Sequence, residues 1–161
     1  MLTDGRILTA ADGSSARSFH VHDGFAIRWF QKLGGQVVII SGKDSPAVYA
    51  RARELGITHV IQGSTDKLRD IAPVLAAIGV DLSQVAMIGD DLPDLPIMRR
   101  CAFPIAVANA VAEVQAAARY VTARAGGDGA VREAVEQILR AAGRWQEVLE
   151  HYGATVESGT S

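Results

Sequence analysis

Asp90, Asp91 and Asp94 put three carboxylates within five positions. Like charges that close repel one another unless a cation lies among them, so the cluster points to a divalent ion held by oxygen ligands. A helix cap would need only one Asp, and either Asp90 or Asp91 could serve as that cap. Ser41, in Ser41-Gly42-Lys43, offers a hydroxyl directly after an apolar run. Lys67 falls in the first turn of an expected helix, where the macrodipole disfavours a cation and a bound anion would offset the cost. Each residue alone also fits a purely structural role. Together they suit a phosphate beside a divalent cation.

These residues need a scaffold that brings them to one edge, and the sequence describes one. Short β-branched runs at 36–40, 59–62, 85–88 and 105–107, with a further extended piece at 120–122, alternate with helical patterns. That alternation signals βαβ units and a parallel sheet. The expected helices open at Asp23-Gly24 and close at Gly34-Gly35, run from Ser45-Pro46 to Gly56, and run from Ser64 or Thr65 to Gly79. A shorter helix follows Asp90 or Asp91, and two more cover about 130–142 and 144–152. Arg6–Leu8 and Arg17–Val21 flank Asp12-Gly13-Ser14-Ser15, which predicts a β-hairpin projecting from the sheet. In a parallel sheet the ligand crevice lies beyond the carboxyl ends of the strands. Ser41-Gly42-Lys43, Gly63-Ser64, Gly89-Asp90-Asp91 and Ala108-Asn109 all follow apolar runs and would meet there.

Composition narrows the function classes. At 161 residues, the chain has the size of one domain, assigned to 1–152 with a polar tail at 153–161. Apolar residues make up 48% and charged residues 21%, the balance of a globular protein. Sixteen basic against eighteen acidic residues leave a net charge of −2, without the basic excess that nucleic acid selects. No apolar stretch approaches the roughly 18 residues of a membrane span. Cys101, the single cysteine, has no internal disulfide partner, so a soluble cytoplasmic protein is expected.

The string Gly89-Asp90-Asp91-Leu92-Pro93-Asp94-Leu95-Pro96-Ile97-Met98, with Ile40-Ser41-Gly42, Lys67 and the segment from Gly126-Gly127-Asp128-Gly129 to Glu133, closely resembles the haloacid dehalogenase superfamily. Within it the chain is similar to the capless, tetrameric 3-deoxy-D-manno-octulosonate 8-phosphate phosphatase family, from Leu2 to about Tyr152. The resemblance implies a Rossmann-like α/β fold with helices on both faces of a parallel sheet, a projecting hairpin and no cap domain. It implies Mg2+-dependent hydrolysis of a phosphorylated sugar acid in lipopolysaccharide precursor synthesis. One aspartate attacks phosphorus and a second protonates the leaving alcohol. Carried over by position, Asp90 would bind magnesium, with Asp91 or Asp94 helping to place it. Ser41 would hydrogen-bond the phosphoryl group, and Lys67 would neutralise its charge. His20, Val21, His22, Asp23, Gly24, Arg28 and Arg51 match substrate-contacting positions, and Lys43 stands where many members have Arg.

The family's Asp-x-Asp-Gly motif ends a central first strand, just before a Leu-Thr-Asp-Gly like Leu2–Gly5. These 161 residues do not contain it. The expectation is that Met1 is an internal position and that the native protein is about a dozen residues longer, the length of a strand plus its motif. The alternatives are a non-catalytic scaffold or regulatory subunit, or a related phosphatase for a nonulosonate phosphate or phenyl phosphate. The resemblance also implies a homotetramer built by the hairpins, with a neighbour's glycine-rich Gly126–Gly129 segment reaching toward the active site.

Overall fold

The computed structural model describes residues 1–154. Two parallel sheet segments form the middle layer. In the first, β3 (Val38–Ile40) pairs with β4 (His59–Ile61), Val38 opposite His59 and Ile40 opposite Ile61. In the second, β5 (Ala86–Gly89), β6 (Phe103–Ala106) and β7 (Tyr120–Val121) lie side by side in that order. A small antiparallel hairpin, β1 (Leu8–Thr9) with β2 (Ser15–Ala16), stands apart from both. The helices are α1 (Val21–Lys32), α2 (Pro46–Glu54), α3 (Lys67–Ala77), α4 (Leu95–Met98), α5 (Ala112–Ala117), α6 (Ala130–Ala141) and α7 (Trp145–His151).

Successive strand residues point to opposite faces of a sheet, so an uninterrupted apolar run feeds two cores at once. Val38, Ile40 and Ile61 pack with Ile71, Leu75, Ile97, Met98 and Val114 from α3, α4 and α5. Val37, Ile39 and Val60 pack with Ala26, Ile27, Ala52, Val131 and Trp145 from α1, α2, α6 and α7. Ile88 touches both cores. Helices therefore cover both faces, and each core spans both sheet segments. Among the described residues β3 pairs only with β4 and β5 only with β6, so the layer is divided between β3 and β5. No helix among the described residues is long and apolar enough to cross a membrane.

Several boundaries differ from the sequence reading, each for a local reason. The first helix begins at Val21 rather than Asp23, because the His20 ring nitrogen Nδ1 accepts the His22 N–H and caps it two residues earlier. That leaves too little chain for a long hairpin, which pairs only two residues on each side and turns through Ala10–Ser14. Asp66 caps α3 through the Arg69 N–H, while Ser64 donates its hydroxyl to Asp70. The sequence reading has no counterpart of α5, whose six residues are too short to show a periodic stripe. The strand expected at 105–107 starts at Phe103 and includes Pro104, a residue that usually argues against a strand interior. The expected polar tail falls mostly beyond the described residues.

Candidate functional site

Ser41, Ser64, Asp90 and Ala108 follow β3, β4, β5 and β6, so the parallel sheet brings them to its carboxyl edge. The β3–β4 ladder continues past the strands, with Ser41 N–H on the Ile61 carbonyl at 2.9 Å and Ser64 N–H on the Ser41 carbonyl at 3.1 Å. The Ser41 hydroxyl accepts the Lys43 N–H and donates to the Lys43 carbonyl, closing a tight turn before α2. Lys43 itself is exposed.

Asp94 organises the acidic loop from beneath. Its side chain is fully buried, and its Oδ1 lies 2.6 Å from Lys67 Nζ, itself 9% exposed. Its Oδ2 accepts the N–H groups of Asp90 at 2.9 Å and Asp91 at 3.2 Å. Asp91 turns to cap the short 3-10 turn Leu92–Asp94 through the Leu92 N–H. Asp90 is left at the sheet edge, its Oδ2 3.1 Å from the nitrogen of residue 1. Gly89 allows this packing, since a Cβ there would sit 2.5 Å from Met98 Sδ and 2.9 Å from the Asp94 Cβ.

The three carboxylates expected to hold a metal thus divide their work. Among the described residues no three carboxylates, imidazoles or thiols converge as a metal cluster. Asp94 has both oxygens committed and acts as a positioning residue. The unfavourable cation at the start of α3 is offset from within the chain by Asp94. Asp94→Ala should therefore destabilise the fold by about 3–5 kcal/mol, because it strands the Lys67 charge in a dry site. A urea unfolding curve measures this, and Asp91→Ala, which removes only an exposed cap, should cost about 1 kcal/mol.

Of the residues carried over as substrate contacts, His20 lies beside Gly129, and the others are spread over α1 and α2 and the turn before α2. Asp23 is 1% exposed, and its Oδ1 accepts the Arg132 N–H at 2.8 Å, which ties α1 to the first turn of α6. Burial pushes its carboxyl above the ordinary value, opposed by that hydrogen bond and by His20. Val21 and His22 are exposed in the first turn of α1. A Cβ on Gly24 would lie 2.4 Å from Arg51 Nη2, so the glycine makes room for that guanidinium. Arg51 pairs with the Glu54 carboxylate at 2.7 Å, and Arg28 donates to the Glu54 carbonyl. The two arginines line a cavity of about 430 Å³ with Phe25, Trp29 and Tyr152, on elements other than those that carry Ser41, Lys67 and Asp90.

The glycine-rich segment is held by its own chain. Gly127 donates to the Met1 carbonyl at 2.8 Å, and a Cβ on it would come 2.3 Å from the Asp4 nitrogen, a closeness only glycine permits. Asn109 Oδ1 accepts the Gly126 N–H at 2.7 Å. The sequence reading passed over two buttresses of this loop. Thr122, 2% exposed, accepts the Ala108 N–H and donates to the Arg124 carbonyl. Glu133 accepts from Tyr120 Oη and from the N–H groups of Ala123 and Arg124. A polar residue directly after the 120–121 strand was the available signal for Thr122.

Comparison with known proteins adds relatives to this geometry. Residues 52–134 match the family model of haloacid dehalogenase-like hydrolases. The chain is 38% identical over 147 residues to the 3-deoxy-D-manno-octulosonate 8-phosphate phosphatase of Escherichia coli K12, covering 91% of this chain and 78% of that one. With the enzyme of the same description from Yersinia pestis it shares 41% over 155 residues, covering 96% and 80%. The crystal structure of the Moraxella catarrhalis enzyme, in complex with magnesium ion, phosphate ion and KDO, superposes with a TM-score of 0.92 at 39% identity, covering 94% of this chain and 87% of that one.

Proposed function

The chain belongs to the haloacid dehalogenase-like hydrolases, among relatives that are 3-deoxy-D-manno-octulosonate 8-phosphate phosphatases, and from that membership we propose that it hydrolyses this sugar-acid phosphomonoester in lipopolysaccharide precursor synthesis. The observation that carries the reading is the buried Lys67–Asp94 pair, which fixes the Asp90-Asp91 loop at the carboxyl edge of the sheet. The Ser41 hydroxyl, turned from the Lys43 carbonyl, donates to a phosphoryl oxygen. Lys67, held at one point by Asp94, neutralises charge that builds on the equatorial oxygens during transfer.

A magnesium ion fits the residues present. Asp90 is a hard oxygen donor at the carboxyl edge of the sheet, and Mg2+ commonly takes one or two protein carboxylates and keeps several waters. When bound, the ion screens the phosphate's negative charge against the approaching nucleophile. Asp90 would hold it, Asp94 would fix the loop that carries Asp90, and Asp91 would hold that loop's turn.

The attacking and protonating aspartates are not present as an Asp-x-Asp-Gly motif in these 161 residues. We place them on a strand that fits between β3 and β5. The single-sided pairing of those two strands and the continuity of both cores across them support this placement. The attacking carboxylate then forms the bond to phosphorus as the ester P–O bond breaks, the second aspartate gives its proton to the leaving alkoxide, and water, losing a proton back to that aspartate, attacks phosphorus to release inorganic phosphate and the free carboxylate. A lone thiol at Cys101 suits the reducing cytoplasm, where we place the enzyme.

The test is phosphate release with magnesium by the protein bearing that strand, on a panel of phosphomonoesters. The proposal expects 3-deoxy-D-manno-octulosonate 8-phosphate to show the highest kcat/KM. A preference for a nonulosonate phosphate or phenyl phosphate overturns the substrate assignment, and no turnover of any ester favours the scaffold or regulatory reading.

We also propose a homotetramer assembled through the hairpin. A two-stranded hairpin is marginal alone, and Ile7, Leu8 and Val21 present apolar surface around it, Leu8 at 73% exposure. Phe19 is a poorer probe than Leu8, since its ring packs under the Arg51 guanidinium. Leu8→Asp should turn a tetramer into smaller species in light scattering without lowering the melting temperature of the monomer. A wild-type protein that is fully active as a monomer would refute the assembly.

A further inference from the structure

We propose that Arg124, with His20 beside it, is the specificity-determining residue that recognises the substrate's carboxylate, a proposal that rests on the sugar-acid reading above. The main chain of Arg124 is clamped from both sides. Its N–H donates to Glu133 Oε2 at 3.0 Å, and its carbonyl accepts from Thr122 Oγ1 at 2.6 Å and from the Ala108 N–H at 3.2 Å. Its side chain has no ion-pair partner among the described residues. An arginine with a fixed root and an unspent guanidinium is pre-organised for a ligand carboxylate, which it can bind with two parallel hydrogen bonds.

Gly129 shows where that side chain lies. A Cβ on Gly129 would meet Arg124 Cδ at 3.0 Å, Arg124 Nε at 3.7 Å and His20 Cε1 at 3.8 Å. The guanidinium stem and the imidazole therefore converge over the bare face of one glycine. His20 Nδ1 is taken as an acceptor by the His22 N–H, which places the ring proton on Nε2 and makes that atom a donor. The acidic groups at this spot are Glu133, spent on main-chain N–H groups, Asp23, buried behind His20 with its Oδ1 on the Arg132 N–H, and Asp128, whose carboxylate is 69% exposed and 4.0 Å from His20 Nε2.

The location matches a ligand charged at both ends. Arg124 hydrogen-bonds to Ala108, which follows β6, and β6 adjoins β5, which leads into Asp90. The next two glycine positions along, Gly126 and Gly127, rest against the backbone of residues 1–4, and the residue-1 nitrogen lies 3.1 Å from Asp90 Oδ2. The acidic loop and Arg124 thus lie along one edge, separated by about two strand spacings, roughly 10 Å. That span suits an acyclic or cyclic sugar acid of about eight carbons with phosphate at one end and carboxylate at the other. At the phosphate end Lys67 already serves Asp94 and the phosphoryl group, so the carboxylate needs a cation of its own.

Isothermal titration of the full-length protein tests this without requiring turnover, using inorganic phosphate, 3-deoxy-D-manno-octulosonate and its methyl ester as probes in the presence of magnesium. The wild type should bind the free acid about tenfold more tightly than the neutral ester, the effect of one charge-assisted contact. In Arg124→Gln that preference should fall to near unity, and Arg124→Lys should restore part of it. Gly129→Ala, which pushes a methyl into the Arg124 stem, should weaken the preference in the same direction. An undiminished preference in Arg124→Gln overturns the proposal. If the wild type binds neither phosphate nor the sugar acid, the sugar-acid phosphatase reading fails, and this proposal fails with it.

Discussion

A polypeptide of residues 1–161 alone should release no phosphate above background from 3-deoxy-D-manno-octulosonate 8-phosphate, while the same residues joined to an upstream strand ending in Asp-x-Asp-Gly should turn it over with magnesium. The expected difference is at least about ten-thousandfold, because removing the nucleophile removes the covalent step that the other groups assist. Ser41 and Lys67 can stabilise charge on a phosphoryl group in transfer, but neither can start the transfer. A colorimetric phosphate assay on protein freed of contaminating phosphatases makes the measurement. The two forms should also differ in stability. Each backbone group of β3 and β5 left buried and unpaired costs about 1–3 kcal/mol, so the strand-bearing form should unfold at a clearly higher urea concentration. Equal activity of the two forms would place the nucleophile within residues 1–161 and overturn its assignment to the inserted strand.

Asp90→Asn in the strand-bearing protein should lower magnesium-dependent turnover by at least about a hundredfold, in the range seen when one preorganised electrostatic group is lost at a phosphoryl-transfer site. The substitution removes one negative charge and keeps the shape of the side chain. It should leave the fold intact, since the contact that holds this loop is made by the Asp90 backbone N–H to Asp94 and does not depend on the Asp90 side chain. Melting curves of the variant and parent should therefore overlap within about 1 kcal/mol of stability, the scale of a surface change. Activity unaltered at low magnesium would remove Asp90 from the metal site. Asp94→Ala gives the opposite pairing, a large loss of stability, so the two variants separate metal holding from loop positioning.

Much of the architecture is legible in the one-dimensional pattern. Val37–Ile40 is apolar at every position, which only a strand covered on both faces tolerates, and the two cores receive its residues in alternation. Ser45-Pro46 and Gly56 bracket α2 because capping preferences act within a few residues. Asp90-Asp91 after an apolar strand, and Ser41 after another, are legible as an edge site because chain order alone puts strand ends there. By contrast α5 escapes notice, since six residues do not complete two turns of any periodic stripe.

The sequence by itself determined which residues could do chemistry and that a parallel sheet would carry them to one edge, for caps, periodicity and strand ends are set by neighbours along the chain. The tertiary structure alone decided what each charged group faces. Asp94 and Lys67 are 27 positions apart and Asp23 and the Arg132 N–H are 109 apart. A carboxylate's role depends on whether its oxygens meet a buried ammonium, a helix N-terminus or open solvent. Asp94 meets Lys67, Asp23 meets the start of α6, and Asp90 is left at the edge of the sheet. Those environments arise only when distant elements pack, because the electrostatic cost of burial and the gain of pairing are both properties of three-dimensional proximity.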